Sequence, residues 1–317
     1  MDCQGHHLPP PSPTAALQWR LEHLAREDKG RSVFKASKSD DNYPRSGASS
    51  FTAVDPTGID DLPLLSRMAQ HLTEEVDTKW TDMILIICSF VSGVIDSMAF
   101  NAWGSFANMQ TGNTVFLALG VSGQPPYPEF LWAKSLIAIV AFMLGILFFF
   151  HASRVLTPLR RSTLLASFSL QTLALIAAGV LVQTGIVEAK REDPRGPIHW
   201  MQIVPLVLLS LQAAGQIVTS RVLYLDEVPT VVLTTVLCDF LIDPQLVSTK
   251  RGWHTHAMRN RRLATFVALF AGAMVSGGLT KAAGLASSLW LAAGLKFVVT
   301  ILWLFWKGKI QDEGDFV

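Results

Sequence analysis

Charge is scarce in this chain. Only 16% of its 317 residues are Asp, Glu, Lys or Arg, and the formal net charge is +1; soluble domains carry roughly 25% charged residues. Such a chain lacks the basic surplus of a nucleic-acid-binding surface, so no nucleic-acid partner is expected. Cysteine is scarcer still: Cys3, Cys88 and Cys238 are too few and too scattered for a disulfide framework or a zinc site. Cys88 and Cys238 fall in apolar blocks, where a thiol behaves as a small hydrophobe. A nucleophile elbow, a Walker loop, a Rossmann fingerprint and a zinc-protease helix are all missing. The expectation is a protein that is not an enzyme, uses no cofactor or metal, and drives nothing with ATP by itself. The opening MDCQGHHLPPPSPTAAL has no basic stretch leading into an apolar core, so it does not read as a signal peptide. Glu22, Glu27, Asp28, Asp40 and Asp41 argue against a transit peptide.

Apolar residues fill the gap. They make up half the chain and come in long blocks rather than amphipathic stripes, which points to an all-α, polytopic transmembrane bundle. Residues 1–62, rich in Pro, Ser, Asp and Arg, read as a disordered cytoplasmic tail. Over 63–80, Leu65, Met68, Leu72, Val76 and Trp80 recur at helical spacing, which predicts an amphipathic juxtamembrane helix. A transmembrane domain covers 81–306, with halves at about 82–185 and 201–306, and residues 307–317 form a second cytoplasmic tail.

Six blocks are long enough to span: 82–103, 130–152, 163–185, 201–221, 263–283 and 285–306. Two shorter blocks, 106–121 and 229–243, leave the count between six and eight membrane segments. The order long, short, long, long occurs twice, and aligning Gly93 with Gly215 brings Thr111 within one residue of Thr234. That spacing suggests an internal duplication of the kind found in transporters. As a straight helix the first short block covers about 24 Å, short of a hydrocarbon core near 30 Å. If both short blocks dip and return, Arg154, Arg160, Arg161, Arg221, the basic loop Lys250–Arg262, Lys307 and Lys309 share one side. The positive-inside rule favours this six-span arrangement by a single residue, and either arrangement puts both termini in the cytoplasm.

The dip is the first candidate site. FANMQTGNTVFLALG, residues 106–120, places Asn108, Gln110, Thr111, Gly112 and Asn113 at membrane depth, where irregular backbone survives only if buried in protein or lining a wet cavity. Residues 110–113 are expected at the tip, with Asn108 or Thr111 capping the half-helix that follows. Thr234 takes the corresponding place in the second half, after Pro229. Asp96, in SGVIDSMAF, and Lys296, in LAAGLKFVVT, are intramembrane charges, and Asp239 ends the second short block. An intramembrane ionisable residue marks a site unless it serves as a structural ion pair. Asp96 with Lys296 or Asp239 is therefore expected to face a shared polar cavity for a small solute. Gln171, Gln212 and Gln216 read more as interhelical glue, and Gly272, Ser276 and Gly277 as close packing. The basic loop is expected to meet anionic lipid headgroups, and homo-oligomerisation stays open.

FANMQTGNTVFLALG, preceded by SGVIDSMAF, resembles the signature of the YoaK-like family of multi-spanning membrane proteins, a domain of unknown function (DUF1275). LLSLQAAGQIVTSRVLYLDEVPTVVLTTVLCDFLIDPQL, residues 208–246, is similar to the second signature of that family, in its fungal branch. Tyr224 stands where the family more usually has glycine. The resemblance covers about 80–306 and implies an integral membrane protein without an assigned substrate. A secondary transporter or channel is the leading functional expectation, with a non-transport scaffold or regulator as the alternative.

Overall fold

Long apolar runs give long helices. The computed structural model describes residues 64–124, 130–187, 198–225, 228, 230–231, 233–244, 246–247 and 254–309. Among these, nine α-helices and no strand occur: α1 (Leu64–Thr73), α2 (Thr81–Trp103), α3 (Gln110–Val121), α4 (Leu131–Val155), α5 (Arg161–Gln183), α6 (Ile203–Val222), α7 (Thr234–Leu241), α8 (Ala257–Ala283) and α9 (Leu285–Phe305). Six of them, α2, α4, α5, α6, α8 and α9, are long and apolar enough to cross a membrane. The chain is an integral membrane protein of helical-bundle type. The expected tail 1–62, residues 310–317 of the second tail and residues 250–253 of the basic loop lie outside the described residues, whereas Lys307–Lys309 are ordered against the chain before α2.

Two departures have clear causes. α1 stops at Thr73 rather than continuing to Trp80. The next residues are drawn off into backbone pairing with two other chain turns, Glu75 with Arg160 and Val76 with Gly308. The buried Arg161 guanidinium fastens this collar, donating to the His71 and Trp306 carbonyls and pairing with Glu74 at 3.0 Å. At the other end of the chain's basic loop, α8 begins at Ala257, because Arg261 and Arg262 find acidic partners and are wound into the helix.

The two sets α2–α5 and α6–α9 pack alike. α2 lies along α8 as α4 lies along α6; α5 meets α6 as α9 meets α2; α3 rests on α4 as α7 rests on α8; and α5 crosses α9 at the centre. Exchanging the halves turns each of these contacts into another of them or, for α5 and α9, into itself. The glycines repeat with them. A Cβ on Gly93 would strike the Leu269 carbonyl of α8, and one on Gly272 the Phe90 carbonyl of α2. Gly215 and Gly145 occupy the matching places on α6 and α4, where a Cβ would meet Phe149 at 2.8 Å and Ala214 at 2.7 Å. Small residues let the backbones approach where no hydrophobic force between helices operates.

Polar pairs at the helix starts give the sense of each half. Arg261, early in α8, holds Asp82, at the start of α2, at 3.0 Å. Lys134, early in α4, holds Gln202, at the start of α6, at 2.5 Å, and reaches the Trp103 carbonyl at the end of α2. α2 and α8 therefore start on one side, α4 and α6 on the other. With three crossings per half, the halves are inverted relative to each other.

Candidate functional site

α2 ends at Gly104, whose left-handed conformation (φ 71°) reverses the chain and bonds its N–H back to Phe100. The chain then runs back alongside α2 instead of crossing. Asp96, about two turns inside α2, accepts the Ala107 and Asn108 N–H groups on one oxygen at 2.9 and 2.8 Å. The Met109 backbone and the Asn108 side chain also interact with this carboxylate. α3 returns from this point, and Gly120 near its end faces Trp132 at the start of α4. The block dips and returns on the same side.

The tip is thus Ala107–Met109, three residues before the expected one, and Gln110 already starts the helix. Neither Asn108 nor Thr111 caps it. Asn113 closes the turn from within, accepting from the Phe106 N–H at 3.0 Å and donating to the Phe106 carbonyl at 2.7 Å and to Gln110 at 2.9 Å. Gly112 leaves room for the Phe106 ring, which forms a three-ring cluster with Phe100 and Phe116. Leaving a buried N–H without an acceptor costs roughly 1–3 kcal/mol, and Asp96 satisfies two of them, so it is the pin of this loop.

Polar side chains from four helices converge next to the pin. Asn108 donates to the Ser92 carbonyl at 3.3 Å and accepts from Gln212 at 3.5 Å. Gln216 donates to Ser92 Oγ at 2.7 Å and to the Cys88 carbonyl at 3.1 Å. Lys296, wholly buried, donates to Gln171 Oε1 at 2.7 Å, lies 3.8 Å from Cys88 Sγ and sits over the Phe168 ring at 5.0 Å. Ser92, Gln171, Gln212 and Lys296 each lie within about a turn of the middle of their helices, so the layer falls near the bilayer midplane. An apolar cluster around Trp103, Leu175 and Leu289 closes it on one side, and another around Leu85, Phe168 and Trp303 on the other. Within this layer the Oε1 atoms of Gln212 and Gln216 are buried and accept no hydrogen bond. Two buried acceptors without a donor are expensive to leave unmet.

Sequence reasoning gathered only part of this set. Asp96, Asn108, Gln110, Gly112 and Asn113 build the loop, and Lys296 belongs to the adjoining layer. Among the described residues no ion pair joins Asp96 to Lys296. Thr111 is exposed on the outer side of α3, and Thr234 is exposed at the start of α7. Asp239 is half exposed and pairs with Arg262 at 3.6 Å, far from the shared cavity expected for it. Pro229 lies outside the described residues. Gln171, Gln212 and Gln216, read as glue, turn out to carry the layer together with Ser92 and Cys88. Their shared signal was a polar residue at mid-span in each helix. Among the described residues no group of three metal-ligating side chains occurs, the His254–His256 pair included.

No curated protein and no solved structure matches the chain. Residues 84–302 match the family described as "Protein of unknown function (DUF1275)", a stretch that begins in α2 and ends in α9 and so takes in both halves and the polar layer. The chain belongs to the DUF1275 family.

Proposed function

We propose that this chain is a secondary transporter or channel for a small polar solute, with the midplane layer of Lys296, Gln171, Gln212, Gln216, Ser92 and Asn108 as its site. The observation that carries this reading is the layer's position: buried, near mid-span, where two inverted halves meet. Inverted repeats with interrupted segments and a midplane site are the architecture of many secondary transporters. The unmet Gln212 and Gln216 oxygens favour a solute that brings N–H or O–H donors. Asp96 holds the dipping loop against this site rather than binding the solute. In this reading the protein is not an enzyme. The side bearing Arg154, Arg160, Arg259, Arg261 and Arg262, and with it the collar and both tails, faces the cytoplasm, and the basic loop meets anionic lipid headgroups.

Light scattering by proteoliposomes challenged with urea, glycerol, glycine or lactate tests it. At least one of these is expected to enter faster than in protein-free vesicles, with the rate reduced at least tenfold in Gln216→Leu, which removes the acceptor while keeping apolar packing. Rates matching protein-free vesicles for all four solutes, or a Gln216→Leu rate equal to the parent's, would favour the scaffold alternative.

A further inference from the structure

Charge does not balance in the midplane layer. Lys296 is wholly buried, and its ammonium meets Gln171 Oε1 at 2.7 Å, Cys88 Sγ at 3.8 Å and the Phe168 ring at 5.0 Å. Among the described residues no carboxylate pairs with it. The two acids of α2 are committed elsewhere, Asp96 to the Ala107 and Asn108 amides and Asp82 to Arg261. They stand eight and six residues from Cys88, about 12 and 9 Å along the helix. An ammonium at membrane depth with no counter-charge is expensive. Acceptors are in surplus as well. The Oε1 atoms of Gln212 and Gln216, four residues apart and so on one face of α6, accept nothing. They lie close to the ammonium: Gln216 donates to the carbonyl of Cys88, the residue whose sulfur Lys296 touches. A Cβ on Gly215, between the two glutamines, would meet Gln171 Nε2 at 2.9 Å.

Resting on the reading of this layer as a solute site, we propose that its ligand is a small monocarboxylate bearing one or two hydroxyls. The carboxylate meets Lys296, and the hydroxyls donate to Gln212 and Gln216. Other small solutes match the layer less well. Urea or a polyol brings donors and leaves the ammonium without a counter-charge. A plain carboxylate such as propionate pairs the ammonium and leaves both glutamine oxygens unmet. A zwitterionic amino acid carries its own ammonium, so the layer keeps a net positive charge. A dicarboxylate brings one negative charge too many. Apolar clusters on both sides keep water from screening the layer, so a charge mismatch there weighs heavily in selection.

The test is thermal unfolding of the full chain in mild detergent, titrated with L-lactate, propionate or lactamide at constant chloride. Lactamide keeps the hydroxyl and lacks the charge; propionate does the reverse. A ligand that binds only the folded state raises the melting temperature with its concentration, which yields a dissociation constant for each. L-lactate is expected to bind roughly tenfold or more tightly than either analogue. Lys296→Met should abolish the advantage of lactate over lactamide, and Gln216→Leu should reduce its advantage over propionate. The three ligands on the parent chain decide the matter even where a variant does not fold. Lactamide or propionate binding as tightly as lactate overturns the proposal, as does the absence of any lactate effect. Entry of urea or glycerol into proteoliposomes without lactate binding would overturn the ligand class and leave the transport reading standing. Lactate binding without entry of any solute would do the reverse.

Discussion

The dipping block at α3 and the short block at α7 occupy matching places in the two halves, yet they are held by opposite means. α3 is pinned from inside: a buried carboxylate gathers tip amides, Asn113 closes the turn, and three phenylalanines stack beside it. α7 is held from outside, by Arg262 reaching Asp239 at 3.6 Å and Asp243 at 3.7 Å. The place of Asp96 is taken in α6 by Val218, so no carboxylate can repeat the first pin. The Asp96 bonds are wholly buried, whereas Asp239 is half exposed and only the Arg262–Asp243 contact is largely shielded, so the outer clamp contributes less. The halves share a frame and differ in their pins, which makes α3 the more firmly held of the two blocks.

The sharpest way to break this contrast is at the pin. Asp96→Ala leaves two buried N–H groups without acceptors, at roughly 1–3 kcal/mol each. It should lower thermal stability in detergent by several kcal/mol, whereas Asp96→Asn, which keeps an acceptor oxygen, should lose less than half as much. An Asp96→Ala protein that melts with the parent would remove the pin from the account. A smaller effect separates the two glycine crossings. Gly93→Ala drives a methyl into the α8 backbone, which cannot turn aside, and should cost about 1–3 kcal/mol. Gly215→Ala meets side-chain ends of Phe149 and Gln171 that can rotate, and should cost less. Equal losses at the two positions would mean the crossings are more alike than the contacts indicate. The smallest change belongs to the outer clamp. Asp239→Asn, which breaks only the half-exposed pair, should cost less than about 1 kcal/mol and lose its effect in high salt. A loss comparable to that of Asp96→Ala would erase the difference between the blocks.

The membrane spans were legible because a bilayer demands about 20 apolar residues in a row, a constraint that acts within one segment. The dip was only half legible, since the short polar block could on length have crossed or returned. What escaped was set by contacts between segments. The tip sits at Ala107–Met109 rather than 110–113 because a carboxylate from α2 collects those amides. α1 ends early because Glu74–Val76 find backbone partners at residues 159–161 and 307–309. Each glutamine of the layer was visible alone as a mid-span polar group. Their convergence on Lys296, Ser92 and Asn108 depends on how the inverted halves cross, which no single helix encodes. Asp239 shows the reverse: an acidic residue at the end of an apolar block looked like a site and is half exposed against an arginine.

The central claim is that the midplane layer is a site reached by solute from water. Cys88 stands in that layer beside Lys296, so a Cys3→Ser, Cys238→Ser protein carries a single reporter at the right depth. The measurement is modification of Cys88 in proteoliposomes by a charged, membrane-impermeant methanethiosulfonate. The account predicts slow but complete modification of the folded protein, accelerated or blocked by a solute that is transported. Modification only after unfolding would mean that water never reaches the layer, and that its polar groups serve packing alone.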